Sequence, residues 1–201
     1  MAAGKYTDIE GIRALALAGQ TTFGENRVQD AIAKSRSARL AGLDLKWHLI
    51  GHLQGNKARA AAATFDMVQS VDSLGIALDL SHRASALGRV LPCLLQVNVD
   101  EDRSKRGFYT ASLVAEFESL VALEGLHIVG LMTIGARVAT AEAARPTFAA
   151  LRATRERVDE LGLAPPLRHL SMGMSADFEV AVEEGATIVR VGRVLVDGEL
   201  K

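Results

Sequence analysis

The sequence predicts a single (β/α)8 (TIM) barrel built from residues 1–201, and three observations carry that reading. Short β-type runs alternate with helical stretches of ten or more residues along the whole chain. The connections are short, and no Ser/Pro-rich linker or low-complexity tract divides them. Aromatic residues make up only 4% of the chain while Ala, Leu and Val abound, a balance that favours helices packed on a parallel sheet over a β-sandwich. A doubly wound open sheet alternates strands and helices as well and is the competing architecture.

The elements follow in order. Ala2 to Gly4 is a short first strand, and Asp8 caps a helix whose Ile9, Ile12, Leu15 and Ala16 recur at helical spacing. Further strands are expected at Thr22-Phe23, Lys46 to Ile50, Met67 to Val71, Leu91 to Val99, His127 to Met132, Leu167 to Leu170 and Ile188 to Val191. The helices between them read as Val28 to Leu40, Gln54 to Ala63, Ser73 to Leu87, Ala111 to Leu123, Thr140 to Leu161 and Ser175 to Glu184. The first unit is the odd one, because Met1-Ala-Ala-Gly-Lys5 leaves almost no strand before the first helix. The expectation is a truncated first strand that has lost its preceding helix.

Composition narrows the function classes. With 49% hydrophobic residues, 201 residues are enough for one large core. A formal net charge of −1 gives no basic excess to draw the chain to nucleic acid or anionic membranes. The apolar run Leu91 to Val99 is far shorter than a bilayer span and contains Pro92, Gln96 and Asn98. No signal-peptide pattern opens the chain, and Cys93, the single cysteine, is expected as a buried structural thiol in a reducing cytoplasm.

In a barrel the chemistry sits at the C-terminal ends of the strands, with phosphate often held by the loops after strands 7 and 8. Leu170-Ser-Met-Gly-Met-Ser175 offers two hydroxyls, a flexible glycine and the start of a helix; Arg190-Val-Gly-Arg193 offers close backbone approach at Gly192 and a charge at Arg193. Lys5 falls at the end of the first strand, where a lysine amine beside a phosphate grip suggests a covalent link to an aldehyde cofactor. A surface lysine near a terminus is the plain alternative. Asn26 in Phe23-Gly-Glu-Asn-Arg27 is placed to hydrogen-bond a ring substituent or to cap a helix, with Glu25 and Arg27 pairing elsewhere. His48 and His52 do not make a metal site: a strand leading into a loop does not align them, and no cysteine or nearby carboxylate completes a ligand set. His48 reads as a satisfied core residue or as one that supports a site residue from behind, and Asp100 to Gly107 as a solvated charged loop.

Taken together, Phe23-Gly-Glu-Asn-Arg-Val-Gln29, Trp47 to Lys57, Gln69-Ser-Val-Asp72, Gln96-Val-Asn98 with Lys105 and Gly107, Gly130-Leu-Met-Thr133, Leu170 to Ser175 and Val189-Arg-Val-Gly192 resemble the pyridoxal phosphate homeostasis protein family. Its members are relatives of the alanine racemase barrel. The resemblance implies that Lys5 carries pyridoxal 5′-phosphate (PLP) as an internal aldimine. It further implies that Asn26 is a site residue, that Ser171, Gly192 and Arg193 bind the phosphate, and that Arg190 faces the pyridine nitrogen. A cation there disfavours protonating the ring and makes it a poor electron sink. The implied function is PLP binding in intracellular vitamin B6 homeostasis, without catalytic turnover, by a cytoplasmic monomer. The family has Ser-Lys-Thr around its lysine and often Thr after the last-loop glycine, where this chain has Gly4-Lys5-Tyr6 and Arg193. The rival function is a PLP-dependent amino-acid racemase, which needs a second acid–base group such as a tyrosine. Tyr6 and Tyr109 are the only tyrosines.

Overall fold

The computed structural model describes residues 1–135, 138–192 and 195. Eight strands, β1 (Ala2–Ala3), β2 (Thr22–Glu25), β3 (Lys46–Leu49), β4 (Met67–Val71), β5 (Leu91–Gln96), β6 (Leu126–Met132), β7 (His169–Met174) and β8 (Ile188–Arg190), form one sheet in sequence order. Every neighbouring pair is parallel. A parallel bridge between Ala2 and Val191, with Ala3 N–H donating to Val191 O at 2.7 Å, joins the first strand to the last and rolls the sheet into a barrel rather than an open array.

Between the strands lie α1 (Ile9–Leu17), α2 (Val28–Leu40), α3 (Ala58–Thr64), α4 (Leu74–Ser85), α5 (Thr110–Val121), α6 (Arg145–Asp159) and α7 (Phe178–Glu183). Local chemistry sets several of their starts. Asp8 caps α1 by accepting from Gly11 N–H at 2.9 Å, and Ser73 caps α4 by accepting from Ile76 N–H at 3.3 Å. Pro146 stands in the first turn of α6, where its missing N–H leaves no bond unmade. Phe65, Phe117, Phe148, Leu80 and Leu113 are fully buried, as parallel strands covered by helices require. Phe23 and Trp47 lie on adjacent strands with ring centroids 5.7 Å apart. Cys93 is buried, and burial pushes its thiol up to about 12, so it is the inert thiol expected from the sequence.

Several boundaries differ from expectation. β5 stops at Gln96 rather than Val99, because beyond it the backbone turns to a second partner: Phe108 N–H donates to Gln96 O and Asn98 N–H to Phe108 O, each at 2.9 Å. β7 begins at His169 and runs through the Ser-Met-Gly-Met stretch expected as a loop, with Leu131 opposite Leu170 and Met132 opposite Ser171. A strand survives there because the barrel interior satisfies the serine. Gly4 leaves the first strand for a single 3-10 turn, Gly4–Tyr6, that carries Lys5. Among the described residues no helix is long and apolar enough to cross a membrane.

Candidate functional site

Polar side chains meet inside the barrel. Gln69 on β4 and Ser171 on β7 belong to strands that are not neighbours in the sheet, yet the Ser171 hydroxyl donates to Gln69 Oε1 at 2.7 Å, so the bond crosses the lumen. Arg190 on β8 donates through Nη1 to Ser171 Oγ at 2.7 Å and through Nη2 to Thr133 O at 2.7 Å. Gln69 Nε2 lies 2.9 Å from His48 Nδ1. An amide nitrogen only donates, so Nδ1 accepts and any proton on the neutral ring sits on Nε2. The chain therefore has one direction, from Arg190 through Ser171 and Gln69 to His48.

Burial sets the charges along it. Desolvation lowers His48 to about 4, with Asp66 pulling weakly the other way, so the ring is neutral at pH 7. Desolvation also lowers Arg190 to about 10, which leaves the guanidinium charged. Among the described residues no carboxylate forms an ion pair with it; its direct partners are the serine hydroxyl and one carbonyl, and the charge of Asp177 supports the cation. Its direct partners are neutral, and the Asp177 carboxylate acts on it only at longer range, so a positive charge remains at this end of the barrel.

Above this lumen, four consecutive strand ends close a half-circle: β7, β8, β1 and β2. Ser175 follows β7 and Gly192 follows β8, and Gly192 N–H points at Ser175 Oγ 3.4 Å away, so the two loops meet. Lys5 follows β1 and is exposed, not buried as a desolvated amine would be. Asn26 follows β2, and its position is fixed by backbone contact. A Cβ on Gly51 would overlap Asn26 O and lie 2.7 Å from Asn26 Cα, so only glycine allows the β3 loop to close against it. The Asn26 side chain is exposed and does not cap α2, whose N-cap is Arg27 with no side-chain bond.

The turn bearing Lys5 is itself gripped. Gly4 O accepts from Thr7 N–H at 3.1 Å, which closes the 3-10 turn, and from Lys34 Nζ at 2.7 Å. The same ammonium pairs with Glu25 Oε1 at 2.8 Å. Glu25 is fully buried, its other oxygen has no hydrogen-bond partner among the described residues, and burial raises its pKa despite Lys34.

The expected site residues are thus distributed. Lys5, Asn26 and Gly192 follow the neighbouring strands β1, β2 and β8, and the buried Arg190 ends β8. Ser171 is fully buried in the lumen with its proton given to Gln69. Arg193 lies outside the described residues. The two histidines part company: His48 enters the lumen network, while His52 pairs with Asp72 at 3.0 Å. Among the described residues no group of His, Cys, Asp and Glu gathers as a metal site. Lys105 and Asp100 pair at 2.7 Å in the charged loop after β5. The sequence offered Ser175 as one of two hydroxyls in its loop without singling it out, and gave no sign of the Gln69–His48 pair or of Lys34 as the partner of Glu25. A polar Gln69 inside the apolar run Met67 to Val71 was the available signal for the lumen; nothing local marked Lys34.

The alanine racemase N-terminal domain family matches residues 2–198, and the chain belongs to that family. Within that family the chain belongs to the pyridoxal phosphate homeostasis proteins. The relative from Aquifex aeolicus is 40% identical over 202 residues, covering 100% of this chain and 86% of its own; that from Pseudomonas aeruginosa is 42% identical, covering 97% and 82%. Among solved structures, PipY of Synechococcus elongatus PCC7942 with PLP bound is 42% identical at a TM-score of 0.91, covering 97% of this chain and 90% of PipY. An alanine racemase from Clostridium difficile superimposes at a TM-score of 0.74 with 18% identity and half of its length covered, a likeness of fold alone. The relatives are named for homeostasis and not for a reaction.

Proposed function

We propose that this chain is a PLP-binding protein of intracellular vitamin B6 homeostasis that holds the cofactor through Lys5 and turns over no substrate. The observation that carries it is the placement of Ser175, Gly192, Lys5 and Asn26 on four consecutive strand ends above a buried, charged Arg190. That donor set fits the cofactor's chemistry. Gly192 N–H and the Ser175 hydroxyl would hold the phosphate. Ser175 takes this part in place of Ser171, whose proton is committed to Gln69. Arg193 is a further phosphate ligand by its place in the sequence. Asn26 donates or accepts at the ring's edge, and Arg190 holds a positive charge on the ring side. Bound PLP supplies an aldehyde, with which an amine condenses to form a C=N bond and release water.

Arg190 also supports the absence of turnover. A guanidinium that stays charged at neutral pH would disfavour protonation of a pyridine nitrogen held beside it, and an unprotonated ring would accept electrons poorly from a carbanion. Residues 1–201 are read as one PLP-binding barrel domain, monomeric and cytoplasmic, without a nucleic-acid partner. The racemase reading is weaker because the relatives are named for homeostasis and not for racemisation.

PLP titration tests the reading. Wild type is expected to develop absorbance at about 420 nm, and borohydride is expected to fix the cofactor on Lys5 by peptide mass. No band, or an unchanged band in Lys5→Ala, defeats the covalent assignment. Measurable racemisation of alanine or serine by the loaded protein defeats the non-enzymatic one.

A further inference from the structure

Lys34 reaches from α2 to two segments that have no sequence connection to each other. Its ammonium donates to Gly4 O at 2.7 Å and to Glu25 Oε1 at 2.8 Å. Gly4 O is the acceptor that closes the 3-10 turn on Thr7 N–H, so the lysine grips the turn at the carbonyl that defines it. Glu25 presses on the same residue from the other side: a Cβ on Gly4 would overlap Glu25 Oε1. The side chain of Glu25 is 1% exposed and that of Lys34 is 20% exposed. A carboxylate in that position is costly unless paired, and the ammonium that pairs it has donors left for a further acceptor. The third partner here is the backbone immediately before Lys5.

We propose that Lys34 and Glu25 are positioning residues for Lys5: together they fix the turn that presents the amine, and so set how readily it engages an aldehyde. The inference rests on PLP being held through Lys5. Neither residue needs to touch the cofactor. Their contribution enters through the backbone of Gly4, whose missing side chain lets the carboxylate come close and whose carbonyl is held on two sides.

The test separates covalent capture from the rest of the site by using two ligands, PLP and pyridoxine 5′-phosphate, which lacks the aldehyde. Dissociation constants for both, and the rate at which the PLP band grows, are measured for wild type, K34M and K34R. In K34M, PLP is expected to bind at least about tenfold more weakly and the band to grow more slowly, while pyridoxine 5′-phosphate stays within about twofold of wild type. K34R, which keeps donors for both acceptors, is expected to recover part of the loss. Unchanged PLP binding in K34M overturns the proposal, as does an equal weakening of both ligands, which would mean a packing role. Should K34M not fold, the double variant E25Q/K34M, which leaves no lone buried charge, is read by the same two criteria. Failure of wild type itself to yield a borohydride-fixed Lys5 overturns the PLP assignment directly, an outcome distinct from an intact adduct that is indifferent to Lys34.

Discussion

Gln69 on β4 and Ser171 on β7 are joined across the barrel by a 2.7 Å hydrogen bond, although three strand pairings separate them in the sheet. Gln69→Leu would leave the Ser171 proton and His48 Nδ1 without partners in a closed interior. The expected destabilisation is roughly 1–3 kcal/mol, read from urea unfolding. A double-mutant cycle with Ser171→Ala should give strong coupling, and independent effects would contradict the bond.

The same chain makes stability depend on pH. Unfolded, His48 titrates near 6.5; folded, it resists protonation until about 4. Between those values the unfolded state holds more protons, so stability falls as pH drops through the window. At about 1.4 kcal/mol per pH unit the loss approaches roughly 3 kcal/mol by pH 4. His48→Gln keeps a hydrogen-bonding side chain with no proton to gain. Its stability curve should be flatter than wild type over that interval, and parallel curves would reject the assignment.

Ser175 and Ser171 should separate cleanly by assay. Ser175→Ala is expected to weaken PLP by about tenfold, the worth of one hydrogen bond to an anion, with little change in unfolding. Pyridoxal without its phosphate should bind both forms alike. Ser171→Ala is expected to lower the urea midpoint by removing the link between Arg190 and Gln69. The reverse pattern would return the phosphate contact to Ser171.

Gly51→Ala tests whether Asn26 is held by backbone. The new methyl meets Asn26 O, Cα and C, none of which is a movable side-chain end. The expected outcome is a loss of roughly 1–3 kcal/mol together with weaker PLP binding. Full PLP affinity in a folded Gly51→Ala protein would show that Asn26 is not a ligand.

Much of this fold was legible because it rests on local signals. Asp8 and Ser73 announce two helix starts by cap chemistry, and the apolar runs at Met67 and Leu91 announce strands buried on both faces. The end of β7 was not legible, because Ser-Met-Gly-Met looks like a loop until Gln69, 102 positions away, supplies the serine's partner. For the same reason Ser171 drew attention that its neighbour Ser175 shares: sequence order shows two hydroxyls, and only the strand register shows which one clears the sheet. Lys34 looks like any lysine on an exposed helix face. Its role depends on two acceptors, 9 and 30 positions away, that only the folded chain brings together.

The bridge between Ala2 and Val191 is also a seam. β1 contributes two residues to the sheet, and joining it to β8 closes a loop of nearly the whole chain for very few backbone bonds. The entropy of such a closure is paid once and rewarded thinly. Lys5 and Asn26 stand on one side of that seam; Ser175 and Gly192 stand on the other. A small molecule gripped by both sides therefore acts as a clasp. It turns a ribbon whose first and last strands are weakly joined into a ring, and a rise in unfolding temperature on loading would come chiefly from keeping that ring shut.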